Sequence, residues 1–185
     1  MTLTEMKLKI LKLIEEYDKA NNTDYTNDPD IATKINDVIN QIQYELARVK
    51  KIPAYIELEV KENDLVEFKD IDSINEVYQI SIVKGAKYEY KADSTVIKCL
   101  EDGILEIEYY KYPIRITDTN ASDYKFELSA DVLEIMPYGV AGDVLKSDVS
   151  NAYGNIYSNR YEQMKQQLDI RYNTGSIEIE GGINI

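Results

Sequence analysis

The chain has 185 residues, 44% of them apolar and 30% charged, and carries 21 Lys and Arg against 34 Asp and Glu, a net charge of −13. A surface this acidic repels DNA phosphates and anionic membranes, and no apolar run reaches transmembrane length. Histidine is absent, which excludes Ser-His-Asp and Cys-His catalysis, histidine zinc sites and the usual general base near neutral pH. Lysine and glutamate interrupt the first apolar residues, unlike a signal peptide. The single cysteine, Cys99, has no intrachain partner for a disulfide and reads as a buried, inert thiol in a reducing compartment. Tryptophan is absent but there are 16 tyrosines, whose apolar ring and polar tip serve either a core edge or a protein interface.

Thr2 with Glu5 three residues later is a capping box. Leu3, Met6, Ile10, Leu13, Ile14 and Tyr17 recur at helical spacing, which predicts a first helix to about Ala20. The polar loop Asn21 to Asp28 follows. Its Asp24, Asn27, Asp28 and Asp30 raise calcium, but the loop lacks the central glycine of an EF-hand, and Ile35 stands where the bidentate glutamate belongs. Capping is the better reading, with Asp28 as N-cap and Pro29 as the first helical residue. The second helix carries the stripe Ile31, Ile35, Val38, Ile39, Ile42, Leu46 and Val49 and ends in Arg48, Lys50 and Lys51, where the helix dipole favours cations. Pro53 stops it.

A block of strands comes next. Ile56, Leu58 and Val60 alternate with Glu57 and Glu59. Glu62-Asn63-Asp64 reads as a turn, Leu65 to Phe68 as a short strand, and Asp70 to Asn75 as a helical turn. Tyr78, Ile80 and Ile82 form another alternating set that ends at Lys84-Gly85. Thr95, Ile97 and Cys99 alternate with Val96, Lys98 and Leu100. Past the turn dipeptide Asp102-Gly103, Leu105, Ile107 and Tyr109 point opposite to Glu106 and Glu108. This predicts a hairpin across Asp102-Gly103 within an antiparallel meander, ended at Pro113, which cannot donate to the ladder. Glu106 and Glu108 are the nearest pair to a two-carboxylate enzyme, but acidic pairs on an exposed strand face are ordinarily solubilising. No catalytic, metal-binding or cofactor-binding residue is expected.

After the polar loop Asp118 to Asp123 the helical period returns. Ser129 is the predicted N-cap, with Leu128 and Leu133 placed for a hydrophobic staple. Pro137 and Gly139 predict a kink or break, and Val140, Val144, Leu145 and Val149 continue the apolar face. Ser150 to Gly154 is a second candidate break. The final stripe is Ala152, Ile156, Tyr157, Tyr161, Met164, Leu168 and Tyr172, backed by the solvent residues Asn159, Arg160, Glu162, Lys165 and Gln166. In the tail, Ile177 and Ile179 alternate with Glu178 and Glu180, and Gly181-Gly182 turns toward Ile183 and Ile185, a small hairpin whose isoleucines need a surface. The class is therefore α+β: a helical bundle from residues 1–52 and 124–172, an inserted antiparallel β-sheet lobe over 53–123, and an extended C-terminal tail over 173–185.

The arrangement resembles the head-to-tail adaptor proteins of tailed bacteriophages. The likeness rests on the second helix, DPDIATKINDVINQIQYEL, on the strand block that opens DIDSINEVYQISIV and closes EIEYYKYPIRIT, and on FELSADVLEIMPYGVAGDVLKSD followed by AYGNIYSNRYEQMKQQL. It covers roughly Thr2 to Tyr172, and its motifs are patterns of residue type with no catalytic signature. The resemblance implies a structural protein of the virion neck, made in the host bacterial cytoplasm. Such a protein forms a homo-oligomeric ring of about twelve copies, docks on the portal protein, carries the next neck or tail protein, and lets DNA pass without sequence-specific binding. Tyr157, Tyr161, Ile177, Ile179, Ile183 and Ile185 are the expected interface residues. A stopper or tail-terminator neck protein and a non-phage cytosolic protein-binding module are the alternatives. No membrane contact and no cofactor are implied.

Overall fold

The computed structural model describes residues 1–17, 19, 23–91, 94–146 and 152–170, the side chains of Asp169 and Ile170 excepted. The expected hairpin of the C-terminal tail and Tyr172 lie outside the described residues. Within them the chain is a mixed α+β protein with five helices and two antiparallel sheets of three strands each.

Helix α1 spans Leu3–Leu13. It starts as its sequence predicts: the Thr2 hydroxyl accepts from the Glu5 amide at 3.2 Å, and the Glu5 carboxylate accepts from the Thr2 amide at 2.9 Å. It ends earlier than the apolar spacing predicts. Glu15 takes φ +61°, its amide donates to the Lys12 carbonyl, and the Glu16 amide reaches back to the Leu11 carbonyl at 2.9 Å. This left-handed cap satisfies the last carbonyls and turns the chain away. Ile14 and Tyr17 still pack against the core, but from outside the helix.

Helix α2 spans Pro29–Val49, and the Asp28 carboxylate caps the Asp30 and Ile31 amides at 2.9 and 3.2 Å. Strand β1 (Ile52–Val60) follows. Pro53 lies within β1 and is tolerated there because β1 is an edge strand. The remaining elements of the strand block are β2 (Leu65–Glu67), the single helical turn α3 (Phe68–Ile71), β3 (Val77–Gly85), β4 (Tyr88–Tyr90), β5 (Val96–Cys99) and β6 (Gly103–Lys111).

Strand pairing departs from the predicted meander. One sheet has the order β1-β6-β3, the other β2-β5-β4. Asp102-Gly103 therefore makes no hairpin. It carries the chain from β5 in the second sheet to β6 in the centre of the first. β5 instead pairs with β2, Val66 opposite Ile97, and with β4, Tyr90 opposite Ile97. The alternation of Leu105, Ile107 and Tyr109 is real, and all three are buried, but their partners come from residues far away in the chain. β3 also breaks its apparent period. Register shifts fall between Val77 and Gln79 and between Ile80 and Ile82, so Val77 and Ile80 are buried while Ile82 is exposed. Each bulge adds one residue and moves the following side chains to the other face.

Helix α4 spans Ala130–Leu145 and runs through Pro137 without ending. Nearly every side of it is apolar because α1, α2 and α5 surround it. Ser129 occupies the N-cap position, but its hydroxyl caps no amide. Helix α5 spans Ala152–Ile170 and contains Gly154 within its first turn. The α4–α5 contact is close. A Cβ on Gly139 would lie 2.9 Å from the Tyr161 ring, and one on Gly142 would lie 2.5 Å from the Ser158 hydroxyl.

Buried side chains form two clusters. Met6, Ile10, Ile39, Leu46, Val132, Met136, Val140 and Leu168 belong to a helical one. Val66, Ile97, Cys99, Leu105 and Ile107 belong to one between the sheets.

Candidate protein-interaction surfaces

The end of α2 meets the first sheet through tyrosines. Tyr44 stacks on Tyr112 with centroids 4.9 Å apart, Tyr112 lies 4.7 Å from Tyr78, and Tyr78 lies 6.5 Å from Tyr110. Arg48 sits over the Tyr112 ring and its Nε donates to the Tyr112 hydroxyl. Lys51 lies 4.5 Å from the Tyr110 ring centre and donates to Gln79 at 3.0 Å. The Tyr78 hydroxyl donates to the Ala47 carbonyl at 3.0 Å, and burial beside Tyr112 pushes its pKa up to about 12. The basic end of α2 is thus held by rings of the sheet as well as by its own dipole.

Two buried amides on α2 fix the segment that leaves β6. Asn40 donates to the Ile116 carbonyl at 2.9 Å and accepts from the Ile116 amide at 2.8 Å. Gln43 donates to the Asn40 side chain at 2.9 Å and to the Ile114 carbonyl at 3.3 Å. The Tyr124 hydroxyl, its pKa raised to about 12 by burial, donates within this group, with the Ile114 carbonyl at 2.6 Å and the Gln43 oxygen at 2.9 Å. Sequence reasoning passed over Asn40 and Gln43 as polar residues beside an apolar stripe. Their only sequence signal is spacing: Gln43 and Asn40 flank the stripe on the Ile39 side, where a buried, unpaired amide costs free energy.

The expected interface residues divide. Tyr161 requires correction: it is 4% exposed, its ring packs on Gly139, and Lys165 covers it at 4.9 Å, so it belongs to the chain's own core. Burial, with the Glu45 charge beside it, pushes its hydroxyl well above the ordinary tyrosine range. Tyr157 is half-buried and donates to the Leu13 carbonyl at 2.5 Å. With Leu13, Ile14, Glu15, Leu145 and Tyr153 it lines a groove of about 210 Å³. Beside the groove Tyr153 is 64% and Ile156 57% exposed. The predicted stripe is therefore corrected at Ala152 and Ile156, which face outward, and Gly154 takes their place against Leu145. Ile177, Ile179, Ile183 and Ile185 lie outside the described residues.

Glu106 and Glu108 sit on the open face of the first sheet. Glu106 is opposite Glu57 on β1 and Lys84 on β3, and Glu108 is opposite Tyr55 and Ile82. Glu106 is exposed and Glu108 half-buried. Cys99 is buried as a free thiol and burial pushes its pKa up, which keeps it protonated. Among the described residues no three His, Cys, Asp or Glu side chains are grouped to hold a metal ion, and no helix is long and apolar enough to cross a membrane. No protein-family model matches the chain, and no curated protein is similar to it.

Proposed function

We propose that the chain is a head-to-tail adaptor of a tailed bacteriophage. It would form a ring of about twelve copies under the portal protein in the virion neck, extend the DNA channel, and seat the next neck or tail protein. In this reading the helices of residues 1–52 and 124–172 are the body of each subunit, and residues 53–123 are a β lobe inserted into it.

The observation that carries the reading is the distribution of large exposed apolar side chains. They lie on outer faces of both parts: Tyr153 and Ile156 on α5, Tyr55, Leu65 and Ile104 on the sheets. The pair on α5 supports the reading most, because Tyr153 lines the groove beside Leu13 and Leu145 and Ile156 is exposed nearby, and grouped apolar side chains on an outer face fit a surface that another protein covers. The tyrosine joint supports it further, since a ring subunit must hold its two parts in one orientation. With a charge of −13, few phosphates would be neutralised, so passing DNA would not adhere.

Cryo-electron microscopy of the source particle tests the proposal. The chain should appear as a ring at the head–tail junction. Its absence from the neck, or its presence in infected-cell cytosol alone, refutes the assignment. A monomer in free solution does not, because such rings can assemble on the portal.

A further inference from the structure

We infer that the open edge of β1 receives an extended strand of another protein, one that alternates apolar and basic residues. The surface is independent of the ring and would exist on a lone subunit.

Among the described residues the first sheet has two edges, β1 and β3. β3 is broken by two register shifts and ends at Gly85, whose φ of +97° and contact with the Ile104 carbonyl tolerate no side chain. Bulged edges resist strand addition. β1 has no such break. Its register with β6 is continuous over nine pairs, Ile52–Lys111 to Val60–Gly103. Pro53 blocks only the beginning of that edge, leaving Ala54 to Val60.

The side of β1 that faces the sheet interior is incompletely covered. On the central strand Leu105 and Ile107 are buried, but their partners Leu58 and Ile56 are half-exposed. One more strand would complete the cover and pair the backbone groups of β1 that no described strand meets.

The opposite face states which strand fits. Across the sheet Lys84 lies opposite Glu106, and Glu106 lies opposite Glu57. The row reads plus, minus, minus, and the next position is the open edge. Like charges directly opposite one another are unfavourable. Tyr55 donates to Glu57 at 2.7 Å, a bond that raises the Tyr55 pKa and holds the carboxylate in place. Glu59 continues the acidic side of β1, and Tyr55 and Ile104 are 53% and 51% exposed beside it. A lysine or arginine on an added strand would neutralise Glu57 while its apolar neighbours met Ile56 and Leu58. The chain's own Ile177-Glu178-Ile179-Glu180 has the right period and the wrong charge, since it would set glutamates against Glu57. A second copy paired edge to edge through β1 has the same fault.

Two synthetic peptides as long as β1, one alternating valine with lysine and one valine with glutamate, test this on the full chain by hydrogen exchange. The lysine peptide should protect the alternate, edge-facing amides between Ala54 and Val60 and shift little elsewhere; the glutamate peptide should not. Glu57→Lys should reverse the preference, and circular dichroism of the variant checks its fold. Equal binding of both peptides, or protection by the lysine peptide spread evenly over the chain, overturns the proposal. So does concentration-dependent protection of β1 without peptide, which would mean that a second copy is the occupant.

Discussion

Gly139 on α4 lies directly against the ring of Tyr161 on α5, so close that a Cβ there would sit 2.9 Å from two ring carbons. The missing side chain lets the helices approach, and Gly142 beside Ser158 extends the contact by one turn. Gly139→Ala would gain about 1 kcal/mol of helix propensity. Against this stands overpacking in a filled core, about 1–3 kcal/mol, because the Tyr161 ring is buried and has nowhere to swing. The expected outcome is a net loss of stability in urea melts. A gain would show that the α4–α5 contact relaxes freely.

Leu46 on α2 and Leu168 on α5 are both buried in the helical cluster. Replacing either with Ala should cost about 2–5 kcal/mol through lost transfer energy and a residual cavity. Denaturant melts of each variant measure this. A loss below about 0.5 kcal/mol at both positions, the scale of an ordinary surface change, would show that the stripes face elsewhere.

Asn40→Ala removes the partner of both backbone groups of Ile116, whose amide and carbonyl bond to the one Asn40 side chain. It also leaves Gln43 short of a partner. Buried polar groups left unpaired cost about 1–3 kcal/mol each. The variant should lose stability of that order and should show faster hydrogen exchange at Ile116. Unchanged exchange there would mean that water replaces the amide.

Lys50 and Asp131 join the end of α2 to the start of α4, Nζ to carboxylate at 2.5 Å. Partial burial is the largest single influence on Asp131 and pushes its pKa up, but the Lys50 bond and charge together with hydrogen bonds at the start of α4 outweigh it and hold the group at about 2, below its ordinary 3.8. A depressed carboxylate pKa means that the unfolded chain takes up the proton first as pH falls. The contribution is therefore complete above about pH 4 and is lost between about 4 and 2. Asp131→Asn should be less stable than the parent at pH 6, and the difference should shrink toward pH 2. Thermal melts across that range check it; a constant difference would assign the effect to packing.

Purified protein should contain no stoichiometric zinc or iron, because it has no histidine and a single buried cysteine. Elemental analysis is the check, and one metal ion per chain would sink the expectation.

Local signals were legible in the sequence where both partners of an interaction are near in the chain. Thr2 with Glu5, and Asp28 before Pro29, start their helices where the residues say, since a cap is made within three positions. The stripe of α2 and the alternation of Leu105, Ile107 and Tyr109 announced which faces are buried. Periodicity says which way a side chain points, however, and nothing about what lies opposite. Asp102-Gly103 invited a hairpin, yet β6 is claimed by β1 and β3 and β5 by β2 and β4. Tyr161 and Tyr157 looked alike in sequence; the absence of a side chain at Gly139 draws one into the core, and the other stops at the groove beside Leu13. Asn40 and Gln43 became structural only when a backbone segment more than seventy residues away needed partners. The sequence by itself determined most of the elements and the apolar faces of α2 and β6, because these follow from chemistry within a few residues. Tertiary structure alone decided strand order, the tyrosine joint and the free edge of β1, because each depends on which distant surfaces exclude water together.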